Sequence, residues 1–272
     1  MRKKNEIVKE LEKLGLQAEW KTVNKNGVLY TGIAIVSQVG QVAPLIYTDG
    51  LINDEDGLDM AVNKILAQYQ NVRSTRIDAD KITNRDYVLE HITIAVQKDG
   101  VEMIVKRESG LEGIEAYLIV MDSCLEDGNI SMKVTADLLL KAGISAPEAW
   151  TRAEQNLHKS VRIQGMAEIM ADLMGKDYIE MCEADEKMYM ISTESKINGA
   201  SAVLDREIME KFAKKHHTKR VAVLPSSIHE MMLVPDTTDF DEEELSLMVR
   251  DINATEVVPE DRLTDRAYFM NF

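Results

Sequence analysis

The Asn-Gly pair at Asn26-Gly27 limits the fold of this chain more tightly than any other short feature. It lies between two apolar-rich runs, Ala18–Val23 and Val28–Val36. Asparagine and glycine both tolerate a positive backbone φ, which is the conformation that a two-residue turn between antiparallel strands requires. The pattern therefore predicts a β-hairpin over Ala18–Val36.

A similar pattern recurs farther along the chain and indicates the fold class. Lys98-Asp99-Gly100 separates His91–Val96 from Val101–Arg107, which predicts a second hairpin. Stretches with apolar residues at helical spacing accompany these hairpins, without regular alternation of strand and helix. The sequence thus predicts an α+β fold with mixed, largely antiparallel sheets that are built from hairpins and packed with amphipathic helices.

The order of predicted elements suggests two sub-domains. Residues 1–75 give an N-terminal α-β-β-β-α unit, whose last predicted helix ends near Tyr69. Residues 70–79 are polar and lack periodicity, as in a linker. Residues 80–272 then form a larger C-terminal α+β domain.

The segment Lys196–Pro235 has the densest mixture of Asn, Ser, His and Glu between apolar runs. Its spacing predicts a helix over Ser201–His216 and two strands, Val221–Leu224 and Met231–Val234, joined by a polar link. Because the connection from the helix to the first strand is short, we expect the helix start and the strand end to share one edge of the domain.

Five polar residues should then converge at that edge as a candidate binding site: Asn198, Ser201, Ser227, His229 and Glu230. Convergent polar groups beside an apolar floor are what a small ligand or a peptide end needs. The alternative is that the same groups only satisfy the backbone of two neighbouring turns.

Several segments resemble a known family. NGASAVLDREIM, VAVLPSSIHEMMLVPD and MVRDINATEVVPEDRLTDRAY, together with NKNGVLYTGIAI and APLIY, resemble an uncharacterised bacterial family, the domain-of-unknown-function family 5688, which is common in gut anaerobes. The resemblance covers most of the chain. It implies membership alone, since no activity, cofactor or catalytic residue comes with it.

Ser227, His229 and Glu230 are also the candidate catalytic residues, as parts of a hydrolase. A serine nucleophile needs a base within hydrogen-bond reach and a carboxylate that orients the base. Ser227 and His229 are two residues apart and would share one face of a strand. The chain has no G-x-S-x-G motif, however, and the competing interpretation is a turn held by serine hydroxyls.

No pattern in the sequence predicts a cofactor or a metal. The chain has no P-loop, dinucleotide-binding fingerprint or H-E-x-x-H motif. His216 and His217 are adjacent, so they diverge on a helix and cannot easily share an ion. Cys124 and Cys182 lack ligand spacing, and we predict that they are not bonded to each other.

Charge restricts the class of partner. The formal net charge is −15, from 47 acidic and 32 basic residues, and such a surface repels nucleic-acid backbones and anionic lipid. Met1–Leu14 is charged and lacks the apolar core of a signal peptide. These features predict a cytoplasmic protein whose partner is neither nucleic acid nor membrane; the oligomeric state stays open.

Two functions from different classes remain. The first is a non-enzymatic binding or accessory protein with a protein or peptide partner. The alternative is a hydrolase-like enzyme that uses Ser227 and His229 with an unidentified acid.

The histidine spacing gives a first prediction. Protein purified without added metal should contain no stoichiometric transition metal by elemental analysis, because the five histidines show no ligand spacing. About one zinc per chain, lost on His229→Ala, would contradict it.

Overall fold

The structure, a computed structural model, describes residues 2–36, 45–73, 82–122, 130–174, 187–235 and 241–272. In these ranges helices accompany three sheets, and every described strand pair is antiparallel. The predicted α+β class is confirmed. Cys124, Cys182 and a strand predicted at Tyr178–Met181 lie outside the described residues.

Contacts divide the chain into two compact units, and the division falls at Tyr87-Val88. The elements of the first unit are α1 (Arg2–Lys13), β1 (Gln17–Lys25), β2 (Val28–Val36), β3 (Leu45–Tyr47) and α2 (Leu58–Arg73). The three strands form a sheet in the order β1-β2-β3. Its core comprises Ile7, Leu11, Ile33, Ile35 and Ile65, which are almost fully buried.

The first predicted hairpin is confirmed. Lys25 pairs with Val28, which leaves a two-residue loop. Asn26 and Gly27 have φ values of 50° and 89°, as the turn chemistry requires. The Gly27 N–H donates a hydrogen bond to Asn24 Oδ1 at 2.7 Å, which fixes the turn.

The second unit begins with a four-stranded sheet. Its elements are α3 (Arg85–His91), which crosses the division between the units, β4 (Ile92–Lys98), β5 (Lys106–Glu108), β6 (Ile114–Asp122) and β7 (Ile130–Lys133). β6 lies at the centre, with β4 on one side and both β5 and β7 on the other.

The second predicted hairpin is wrong in its pairing. β4 pairs with β6, and the segment after Gly100 continues to Val105, whose N–H donates to Val134 O at 2.8 Å. The physical reason is burial: the first seven residues of β6 are buried, so this strand takes the central position. The more polar β5 lies outside it, where Lys106 Nζ pairs with Glu115 at 2.8 Å.

The remaining elements build a five-stranded sheet and its helices. They are α4 (Ala136–Ala142), α5 (Ala146–Ser160), β8 (Val161–Gly165), α6 (Met166–Met174), β9 (Tyr189–Thr193), a 3₁₀ helix (Gly199–Leu204), α7 (Arg206–Lys215), β10 (Arg220–Pro225), β11 (Met231–Val234), α8 (Glu242–Thr255) and β12 (Tyr268–Asn271). The strand order is β12-β10-β11-β9-β8. The predicted pairing of Val221–Leu224 with Met231–Val234 is confirmed as β10 and β11.

Helix caps explain where two of these helices begin. The Ser145 side chain accepts a hydrogen bond from the Glu148 N–H and caps α5, as its sequence predicts. The spacing of Asp239 and Glu242 predicts a capping box, but the capping box in the structure lies two residues later. Asp241 Oδ1 accepts from the Glu244 N–H at 2.8 Å, and Glu244 Oε2 accepts from the Asp241 N–H; Asp239 itself is outside the described residues.

Of the helices in the described ranges, none has the length and apolar character that crossing a bilayer demands.

Candidate functional site

The polar link between β10 and β11 is held by the backbone of two other segments. The Ile228 carbonyl accepts a hydrogen bond from the Ala200 N–H at 3.2 Å, at the start of the 3₁₀ helix. The Ile228 N–H donates to Asp261 O at 2.8 Å, beyond α8. The link, residues 226–230, therefore lies between the 3₁₀ helix and the segment that follows α8.

Asn198 and His229 meet directly. Asn198 has a left-handed backbone conformation, with φ 51°. Its N–H donates to His229 Nδ1 at 3.2 Å. A ring nitrogen that accepts carries no proton, so the proton of the neutral imidazole is on Nε2. His229 Nε2 in turn lies 3.5 Å from the Asp261 carboxylate.

Ser226, Ser227 and Glu230 close the turn on itself. The Ser226 hydroxyl donates to the Glu230 carbonyl at 2.9 Å. The Ser227 hydroxyl donates to Glu230 Oε1 at 2.7 Å and accepts from the His229 N–H at 3.0 Å. These contacts satisfy backbone groups that the turn would otherwise leave unpaired.

Ser201 does not belong to the exposed edge, which corrects the expectation from the sequence. It is fully buried, and its hydroxyl donates to the Ile94 carbonyl at 2.6 Å. The reason is the 3₁₀ helix, which turns residues Gly199–Val203 inward instead of beginning an exposed helix. Ser201 thus joins this segment to β4.

Among the residues that the structure describes, the Ser227 hydroxyl makes no hydrogen bond to the ring of His229. A nucleophilic serine needs a base as its hydrogen-bond acceptor. Ser227 has the Glu230 carboxylate in that role, whereas the ring of His229 faces Asn198 and Asp261. The side chains therefore orient one another within a turn.

Two residues that sequence reasoning missed hold His229 in place. The Ser192 hydroxyl donates to the His229 carbonyl at 2.7 Å. Gly199 lies so close to Ser192 and His229 that a Cβ on Gly199 would collide with Ser192 Oγ. The same Cβ would lie 2.7 Å from the His229 carbonyl oxygen. The Asn198-Gly199 turn signal could have indicated this close approach; nothing in the sequence around Ser192 could have.

An accessible pocket of about 450 Å³ opens beside the turn. One wall is formed by Lys196, Ser227, His229 and Glu230, and the other by Glu256, Val257, Val258 and Asp261. Three of the five residues predicted to form a binding site, Ser227, His229 and Glu230, therefore line the pocket. The opposite wall was not predicted, because its residues follow α8 in a segment that lacks periodicity.

The part of the chain that the structure describes contains no group of three or more His, Cys, Asp or Glu residues arranged to hold a metal ion. His216 and His217 take no part in the pocket. The structure therefore offers no described ligand set to combine with His229.

Comparison with known proteins gives one family. The family described as "Family of unknown function (DUF5688)" matches residues 2–271. No curated protein and no solved structure matches the chain.

The packing around Gly199 predicts a large effect of one methyl group. Gly199→Ala should lower the free energy of unfolding by about 1–3 kcal/mol, because the new Cβ would meet backbone atoms that cannot move without breaking the turn. Denaturant titration measures the change. The control is Gly100→Ala in the same unit, where the nearest atoms are 3.7 Å away; an equal loss in both variants would contradict the interpretation.

Proposed function

Since this chain belongs to the DUF5688 family of unknown function, which brings no activity with it, we propose from the geometry of the site that it is a non-enzymatic binding or accessory protein with a protein or peptide partner. The observation that carries the proposal is the pocket between residues 227–230 and 256–261, which has both polar and apolar walls. The proposal places the protein in the bacterial cytoplasm, in keeping with its acidic composition.

Exposed apolar side chains lead from the last helix to this pocket. Met248 and Ile252 are one turn apart on α8 and are 37% and 43% exposed. Glu256 follows at the same four-residue spacing and lines the pocket, where Val258 is 51% exposed. Exposed apolar residues that are grouped in this way support contact with another protein.

Charge supports a basic partner. The pocket wall has three carboxylates, from Glu230, Glu256 and Asp261, against one lysine, Lys196. A partner segment that combines apolar residues with Lys or Arg would complement both the stripe on α8 and the pocket. Such complementarity contributes to specificity and to the rate of association.

A photo-crosslinking experiment tests the proposed surface. With p-benzoyl-phenylalanine at position 258, we expect a defined covalent adduct with one host protein, because this position borders the pocket. The matched control places the same residue at position 140, where Leu140 is 79% exposed on α4. Adducts of the same pattern from both positions, or from neither, would refute the surface.

The hydrolase alternative requires a reactive Ser227 hydroxyl, and this reactivity can be tested directly. The contact between His229 and Asp261 supplies a histidine–carboxylate pair, but the pair does not face Ser227. A serine-directed fluorophosphonate should therefore leave Ser227 unlabelled, because its hydroxyl has no imidazole to activate it. Mass spectrometry would detect the adduct, with Ser227→Ala as its control, and stoichiometric labelling of Ser227 would favour the enzyme.

A further inference from the structure

A second pocket lies on the same unit and shares no residue with the first. It has a volume of about 440 Å³, which is within the range of small-molecule sites. Its walls come from β8, α6, β9 and α7. Nothing in the proposed partner surface depends on it.

Aromatic rings form one side of this pocket. Tyr189 and Phe212 line it and meet edge to face, with ring centroids 5.1 Å apart. The ring of His216 packs against both, with its centroid 4.6 Å from that of Tyr189 and 4.5 Å from that of Phe212. Burial lowers the pKa of His216 below its usual value, and the nearby Lys215 and His217 lower it further. Ile208 adds aliphatic surface.

Opposite charges lie at the rim. Lys211 and Lys215 are one turn apart on α7, and Glu168 is on α6. Lys211 donates to Glu207 at 2.6 Å, which compensates its charge. In the ranges described, neither Lys215 nor Glu168 has an ion-pair partner. The pocket thus presents two lysines, of which Lys211 is paired with Glu207, and one carboxylate beside aromatic and aliphatic side chains.

We propose that this pocket binds a free α-amino acid with a large apolar side chain. The ligand's carboxylate would pair with Lys215, its ammonium group with Glu168, and its side chain would lie against Tyr189 and Phe212. A fatty acid would leave Glu168 without a counter-charge, and a basic peptide would do the same for Lys215. A zwitterion complements both of these unpaired charges at once, which is why it is favoured over the other two ligand classes.

Calorimetric titration of the full chain tests the ligand class with three probes. L-phenylalanine has both charges, N-acetyl-L-phenylalanine lacks the ammonium group, and L-phenylalaninamide lacks the carboxylate. We expect L-phenylalanine to bind and each capped probe to bind about tenfold more weakly, because each loses a charged contact. L-leucine and L-tryptophan repeat the test with other apolar side chains.

Two variants assign the contacts. Lys215→Ala should weaken L-phenylalanine about tenfold and leave L-phenylalaninamide unchanged. Glu168→Gln should weaken L-phenylalanine and leave N-acetyl-L-phenylalanine unchanged. The matched control is Lys214→Ala, an exposed neighbour on α7 that does not line the pocket, and it should change none of the affinities. Thermal melting of each variant shows whether it is folded.

The outcomes separate clearly. The proposal is overturned if L-phenylalanine, L-leucine and L-tryptophan all fail to bind at millimolar concentration. It is equally overturned if the two capped probes bind as well as L-phenylalanine. It is also overturned if Lys214→Ala weakens binding as much as Lys215→Ala, since the effect would then be one of general charge. Selective loss in the pattern described above would support the zwitterion site.

Discussion

The close approach of residues 192–200 to the turn at 226–230 is the constraint from which the described site follows. Gly199 has no room for a side chain, and hydrogen bonds from Ser192, Asn198 and Ala200 reach the turn within 3.2 Å. On its other side the turn bonds to Asp261. One turn thus connects two segments that are distant from it in sequence, and the first pocket lies where they meet.

This constraint explains why side chains typical of an active site make hydrogen bonds within the chain here. The Ser227 hydroxyl accepts from the His229 N–H and donates to the Glu230 carboxylate, and the Asn198 N–H donates to His229 Nδ1. Their polar groups make hydrogen bonds within the chain, while the carboxylates of Glu230, Glu256 and Asp261 and the side chain of Val258 line the pocket.

Local chemistry could be predicted from the sequence, and distant pairing could not. Asn26-Gly27 determines its own hairpin, because both residues of the turn are adjacent. The strand that pairs with β4 depends instead on which strand of the sheet is most buried. That strand is β6, and its central position can be recognised only by comparing all four strands. Asp261 could not be connected with His229 for the same reason: thirty-two positions and a helix separate them, and the segment around Asp261 has no periodicity. Ser201 was misplaced because helical spacing does not distinguish a 3₁₀ turn from the start of an α-helix.

The position of β10 in its sheet has a consequence for the order in which the chain acquires its structure during synthesis. β10 pairs with β11 after a five-residue link, but its other neighbour, β12, is synthesised more than thirty residues after β11. At about 5–20 residues per second, that interval lasts roughly 2–7 s. For this time the nascent sheet has an open edge at β10, where Val221, Ala222 and Val223 are buried in the finished protein. An open apolar edge invites pairing with another chain, so translation speed between β11 and β12 bears directly on the yield of correctly folded protein.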